Sequence, residues 1–225
     1  MLKKPKLILR GQQLVHPNEA FAFSLGHLLG DGSIKAGEKR MSVDHADKTY
    51  VEWKKAKMVE LGIATKTSKI EIVTRRRTDL KEKTTTSYRF ESRSLFAEWH
   101  KPFYVEKQAQ DPTYNPKGRN KRRKQFPWKL VFWFNHPLAL AVFYMDDGGV
   151  QTNQAYFATG EVSLKEVKFM QYALKRNFDL ETTIRYSNKV AVGLLVRRKD
   201  CGKFVNIVQP YVNQVPSMRY KLNIT

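Results

Sequence analysis

An apolar run that stops abruptly in carboxylate and glycine occurs twice in this chain of 225 residues, and the pairing restricts what it can fold into. One copy is residues 138–149, LALAVFYMDDGG, and the other is residues 22–33, AFSLGHLLGDGS. Read as helices, both end on glycine, which takes the left-handed C′ conformation cheaply, so Asp146 and Asp147 fall in one last turn and Asp31 at the other end. The C-terminus of a helix is the negative end of its macrodipole, and an anion there costs a few tenths to about 1 kcal/mol unless a cation lies nearby. Aligning Asp31 with Asp147 sets Gly32 against Gly148, Gly26 against Val142 and His27 against Phe143. Gly26 and Gly30 share a helical face whose missing side chains predict close approach of a partner helix. If the second run is that partner, Asp31 meets Asp147, and two carboxylates so placed repel unless something neutralises them. A divalent cation is the simplest solution, and carboxylates with freed helix-end carbonyls form the all-oxygen set that suits Mg²⁺ or a similar hard ion. Solvated aspartates behind ordinary glycine caps explain one copy as well; they explain a matched pair less well.

The length allows one domain or two small fused ones. Lys and Arg number 41 against 21 Asp and Glu, a formal charge of +20, while 41% of residues are hydrophobic. So basic a globular chain points to a polyanion, nucleic acid before an acidic membrane surface, since no apolar run reaches the roughly 18 residues of a spanning helix. Cys201 is the only cysteine, which excludes an internal disulfide and a thiolate zinc site and fits a reducing, intracellular setting. The basic N-terminus, MLKKPKLILRGQQ, lacks a full apolar region and a cleavage site, so secretion is not expected. It reads equally as a short basic arm on nucleic acid or as a tail.

Along the chain, Asn18 is the expected N-cap of the first motif helix. Residues 34–43 suit an irregular hairpin, 47–61 a helix ended by Gly62, and 70–77 and 84–93 two strands. In the second of these, Tyr88 and Phe90 alternate with Arg89, Glu91 and Arg93, so one face is wet. Residues 95–106 read as a helix. Residues 111–123 are rich in Pro, Gly and basic side chains and make the best linker. Lys121-Arg122-Arg123-Lys124 there suits a localisation signal, a solvated linker or a phosphate-contacting segment. Pro127 and Pro137 bracket a short helix. Residues 151–159 then read as a strand, 163–177 as a helix with a Ser-x-x-Glu capping box, 182–187 and 190–198 as strands, and 203–212 as a helix. Each half is thus roughly αββαββα, an α/β (α+β) architecture in which two pseudo-symmetric halves pack through their motif helices. The antiparallel sheets would form a continuous curved saddle along a duplex. The expected division is 1–110, a basic linker 111–136, and 137–225.

With both motifs in view, the chain resembles the LAGLIDADG homing endonucleases of the single-chain, two-motif, intron-encoded type. SLGHLLGDG (24–32) and LAVFYMDDG (140–148) occupy the motif positions, and the likeness extends over nearly the whole chain. The resemblance implies metal-assisted hydrolysis of both strands of a long asymmetric DNA target, with Asp31 and Asp147 as metal ligands and the carbonyls of Gly30 and Asp146 as helpers. It implies a basic residue near each active site; KQFP and YKLN nominate Lys124 and Lys221. Mg²⁺ is the implied cofactor, with Mn²⁺ or Ca²⁺ able to substitute for binding. The fold also serves RNA splicing cofactors (maturases), which makes intron RNA the partner in the alternative function. His27, whose counterpart is Phe143, is expected to be a packed histidine rather than a catalytic one. For DNA contact the basic side chains of the wet faces and neighbouring turns are nominated: Lys35, Arg40, Arg75, Arg76, Arg77, Lys81, Lys83, Arg89 and Arg93 in the first half, Lys121, Arg122 and Arg123 in the linker, and Arg185, Lys189, Arg197 and Arg198 in the second. The unlike halves imply a monomer on a non-palindromic site, and the family's setting implies an organelle or a prokaryotic cytoplasm.

Overall fold

The computed structural model describes residues 6–7, 14, 16–34, 37–77, 83–107, 122–159, 162–188 and 190–224, without the side chains at 76, 77, 83 and 122. The first half runs α1 (Pro17–Leu29), β1 (Ser42–His45), α2 (Lys48–Glu60), β2 (Glu71–Arg77), β3 (Lys83–Glu91), α3 (His100–Phe103) and β4 (Tyr104–Glu106). Next come β5 (Arg122–Lys124) and α4 (Leu130–Trp133). The second half is α5 (Pro137–Asp147), β6 (Gly148–Gln151), β7 (Gln154–Ala158), α6 (Leu164–Phe178), β8 (Thr182–Ser187), β9 (Val190–Val196) and α7 (Arg198–Val212), closed by a 3₁₀ segment, Pro216–Leu222.

Helices α1 and α5 form the spine, and glycine makes their approach possible. A Cβ on Gly26 would lie 2.3 Å from the Ala139 carbonyl oxygen, and one on Gly30 would lie 2.3 Å from the Asp146 Cβ. Both helices start on a proline, where a missing N–H leaves nothing unpaired. The residue bounding α1 is therefore His16, and Asn18 already lies inside the helix instead of capping it. Neither helix closes on a left-handed glycine: Gly30 has φ −89°, and Gly148 has φ −92° and ψ 166°. Gly148 is required by crowding, since a Cβ there would sit 2.1 Å from the Tyr144 ring. The chain then leaves α5 directly into β6.

The expected strand over 151–159 is half of a hairpin. β6 and β7 are joined by Thr152 and Asn153, both at positive φ (48° and 59°), the geometry of the tight turns whose twist matches paired strands. The second sheet has the antiparallel order β6-β7-β9-β8. Among the described residues the first sheet has three strands, β1-β3-β2, and a Ser33–Ser42 bridge beside β1 where a fourth was expected. The helix expected over 95–106 shrinks to α3 followed by β4, which pairs with β5; Pro102 would have broken the longer helix by removing an N–H from its interior. α7 begins before the expected residue 203, at Arg198. α6 carries its capping box as expected, with Ser163 and Glu166 exchanging side chain and backbone bonds. In the second half the core under the sheet is aromatic: Phe143 stacks on Phe157 at 5.1 Å, and Phe204 meets the ring of Tyr144 edge-on at 4.8 Å.

Candidate active site

The packed ends of α1 and α5 bring Asp31, Asp146 and Asp147 into one neighbourhood, where each has a different environment. Asp31 is partly exposed, and its Oδ2 lies 3.9 Å from Nε2 of His45. Nδ1 of that ring accepts the Asp47 amide at 2.9 Å, which leaves the proton on Nε2, facing Asp31. The Asp147 carboxyl is pushed up to about 7, first by burial and then by the charges of Asp31 and Asp146, which outweigh those of Lys124 and Lys221. A carboxylate so destabilised gains most from a nearby cation.

Asp146 is fully buried and already satisfied. Its Oδ1 accepts from Lys54 Nζ at 2.5 Å and from the Tyr50 hydroxyl at 2.7 Å. Its Oδ2 is 2.8 Å from His27 Nδ1 and accepts the Asp31 amide at 3.3 Å. Burial alone would raise its pKa; Lys54 and His27 reverse that and hold it well below the usual carboxylate range. Its side chain thus has no lone pair left for a metal ion. His27 is completely buried and packed, as expected of it, and burial with the Lys54 charge lowers its pKa.

Of the two nominated lysines, Lys124 donates to the Gly30 carbonyl. Lys221 is buried and directs Nζ at the carbonyls of Met145 (2.6 Å), Gly148 (2.8 Å) and Tyr144 (3.4 Å). An ammonium has three protons, so Lys221 caps the end of α5, where the last carbonyls run out of helical partners; the Tyr144 carbonyl is shared with the Gly148 amide.

The nominated DNA contacts separate by surroundings. Arg75 and Arg89 converge on Asp44, at 2.8 and 2.5 Å. Arg40 reaches Glu91 at 3.3 Å, and Arg93 points at the Gly62 carbonyl. Arg40, Arg89 and Arg93 line one groove with Lys69, Glu71 and Glu91. Arg185 is exposed, 5.9 Å over the Tyr156 ring. Arg197 pairs with Glu181 at 2.9 Å beyond the end of β9, and Arg198 opens α7 on the surface. Arg123 turns inward, to Glu166 at 3.0 Å, and ties β5 to α6. Lys35, Lys81, Lys121 and Lys189, and the side chains of Arg76, Arg77, Lys83 and Arg122, lie outside the described residues.

Sequence reasoning missed Tyr50, Lys54, His45 and Asp44. A signal existed for Lys54: it stands midway between Tyr50 and Met58 at four-residue spacing, a charge on the buried stripe of α2. A cation there requires a buried partner.

Among the described residues no three His, Cys, Asp or Glu side chains converge as a metal cage. Asp31 and Asp147 nevertheless fit a hard ion that takes one or two protein carboxylates and fills its other positions with water and substrate phosphate, as Mg²⁺ does.

A family model described as the LAGLIDADG DNA endonuclease family matches residues 21–204. The cytochrome b mRNA maturase bI2 of Saccharomyces cerevisiae is 35% identical over 88 residues, 38% of this chain and 20% of that protein. The intron-encoded endonuclease ai4 of Dictyostelium discoideum is 36% identical over 87 residues, 38% of this chain and 54% of that protein. The matched region is thus between a fifth and about half of these curated relatives. The solved structure of the homing endonuclease I-WcaI bound to its DNA recognition sequence is similar in fold, with a TM-score of 0.72 at 20% identity, covering 91% of this chain and 86% of that one. Full-length DUF199/WhiA from Thermatoga maritima aligns with a TM-score of 0.50 at 12% identity, over 89% of this chain and 57% of that one.

Proposed function

This chain belongs to the LAGLIDADG DNA endonuclease family, and from that premise we propose that it is a site-specific endonuclease cutting both strands of a long, asymmetric DNA target. The observation that carries this is the Asp31–Asp147 pair at the abutting ends of α1 and α5, where burial, and then repulsion by Asp31 and Asp146, push Asp147 up to about 7. In this reading Asp31 and Asp147 hold Mg²⁺, or Mn²⁺ in its place. Bound there, ions would polarise the scissile phosphates, each aspartate serving chiefly one strand, and lower the pKa of the attacking waters. The chain's own groups do the rest. His45 presents Nε2–H beside Asp31 and can orient its carboxylate or a solvent molecule. Lys124 lies beside the Asp31 turn and can face developing charge on phosphate. Lys221 secures the backbone that carries Asp147. The two sheets supply DNA contacts from their wet faces, and the unlike halves favour a monomer. The division into 1–110, 111–136 and 137–225 is kept as part of the proposal, supported by the matching spine helices; β5 and α4 lie inside the middle segment. No described helix is long and apolar enough to cross a membrane; an organellar or prokaryotic setting is part of the proposal, and a cytochrome b mRNA maturase among the relatives supports the organellar one.

Cleavage of a randomised long-target DNA library with Mg²⁺, with sequencing of the cut ends, tests the proposal. Asp31→Asn and Asp147→Asn should each abolish double-strand cleavage while DNA affinity is largely kept. Substantial cutting by either variant would remove these residues from the site.

A second reading, an RNA splicing cofactor, has one observation in its favour. Exposed Trp128, Phe132 and Tyr172 sit with Lys129 and Arg176 around α4 and the outer face of α6, and Arg176 lies 4.8 Å over the Phe132 ring. Aromatic and cationic groups so mixed can stack unpaired bases. If Trp128→Ala/Tyr172→Ala weakens RNA binding without changing DNA affinity, the two surfaces are separate; no loss of RNA binding removes the second reading.

A further inference from the structure

Beneath the turn that carries Asp31 lies a buried cluster that the cleavage chemistry does not use. Groups from three elements converge on the Asp146 carboxylate: Lys54 and Tyr50 of α2 donate to Oδ1, the Asp31 amide donates to Oδ2, and Nδ1 of His27 of α1 lies 2.8 Å from Oδ2 and 3.2 Å from the Lys54 ammonium. The turn is shaped to the same cluster. The space a Gly30 Cβ would need is filled by Asp146, 2.3 Å from its Cβ and 2.8 Å from its Oδ2. The space at Gly32 is filled by His27, 2.6 Å from its carbonyl oxygen and 2.8 Å from its ring Cδ2. The Gly32 amide also donates to the His27 carbonyl at 2.7 Å. Asp31 is therefore flanked on both sides by residues that rest on the cluster, and its own amide is bonded to it.

Among the described residues Asp147 has no equivalent polar cluster beneath it. The residue preceding Asp31 is Gly30, the counterpart of Asp146, and it offers no carboxylate; the counterpart of His27 is Phe143, packed against Phe157. A buried ion pair is weak evidence of stabilisation by itself, since apolar residues of similar volume often replace one at no cost. The direct bond to the Asp31 amide gives this one a different part to play.

We propose that Asp146, held by Lys54, His27 and Tyr50, is a positioning residue that aims the Asp31 carboxylate, so that cleavage of one DNA strand depends on this cluster and cleavage of the other does not. The inference rests on the endonuclease reading for its effect on cutting, but the positioning itself can be measured without DNA or metal. The test variant is Lys54→Met/Asp146→Leu, which removes both charges together and keeps the branching of the Asp146 side chain. Amide hydrogen exchange at Asp31 is followed by NMR in the wild type and the variant. In parallel the cutting of each strand of the selected target is timed separately, with DNA affinity and unfolding midpoint as controls.

A protected Asp31 amide in the wild type, losing protection in the variant, is expected. With it, one strand should be cut about 10- to 100-fold more slowly, the scale of a misplaced catalytic group, so nicked DNA accumulates. An unprotected Asp31 amide in the wild type overturns the proposal, as does an unchanged strand ratio or equal slowing of both strands in the folded variant. Should the double variant not fold, Tyr50→Phe keeps the ion pair and removes one donor; it should bias the strands in the same direction to a smaller extent, and no bias overturns the proposal. A wild type that cuts no duplex refutes the endonuclease reading alone, because amide exchange still decides whether the cluster holds Asp31.

Discussion

Asp31 and Asp147 stand at equivalent ends of two paired helices, yet the protein holds them by different chemistry. Under Asp31 the support is a buried polar cluster around Asp146. Under Asp147 it is Lys221, whose three N–H groups face the carbonyls at the end of α5, above an aromatic core of Phe143, Phe157 and Phe204. The sheets differ in the same way. Register places Asp44, Glu71, Arg75 and Arg89 on the wet face of the first, with Asp44 opposite Arg89 and Arg89 opposite Glu71. On the wet face of the second, Tyr156 stands opposite Leu195 and Leu195 opposite Thr183, with Gln151 opposite Gln154, and Arg185 is the charged member. A repeated backbone can therefore be filled with two sets of interactions, provided that each closes its own buried polar groups.

The largest effect that would sharpen this contrast is on stability. Asp146→Ala should cost about 3–5 kcal/mol, because Lys54 remains buried without its counter-charge. Lys221→Ala should cost less, about 1–3 kcal/mol, since the carbonyls it leaves are neutral and at a helix end. Denaturant titration of both variants gives the comparison, and equal losses would make the two supports equivalent. A pH effect comes next. Asp147 binds its proton more tightly folded than unfolded, so its contribution to stability is greatest below 3.8 and is lost as pH rises through about 7. Asp147→Asn should therefore raise the melting temperature more at pH 8 than at pH 5, with a gain on the order of 2 kcal/mol at the higher pH. Thermal unfolding at the two pH values checks it, and an equal shift at both would contradict the electrostatic origin. The smallest expected effect is in the salt dependence of DNA binding. Arg75→Gln in the first sheet should lower the slope of log affinity against log salt by up to about one unit, whereas Gln154→Ala in the second should leave the slope unchanged while relaxing base preference. Affinity measured across a salt series distinguishes them.

Much of the site was legible from residues that act locally. The Gly26 and Gly30 spacing announced a close helix pair, and both glycines do face α5 with no room for a Cβ. The Ser163–Glu166 capping box was readable from four residues, because all its bonds are made within one turn. The β6–β7 hairpin was missed, since Thr152-Asn153 lacks the glycine by which such turns are usually recognised. The Arg123 ion pair was not legible, because a run of basic residues looks solvated until the partner of each is known; Glu166 lies 43 residues further along the chain.

Two adjacent aspartates, Asp146 and Asp147, mark the limit most clearly. The sequence by itself determined that a carboxylate ends each spine helix and that the two helices pack, since helical periodicity and the absence of side chains at glycine are properties of short segments. How differently the charges of the two aspartates are compensated was decided only in three dimensions. Asp146 meets Lys54, 92 residues away, and is neutralised in the interior, while Asp147 lies one residue on and gains no such partner among the described residues. Charge compensation of a buried group is a sum over everything folded around it, and no local pattern contains that sum.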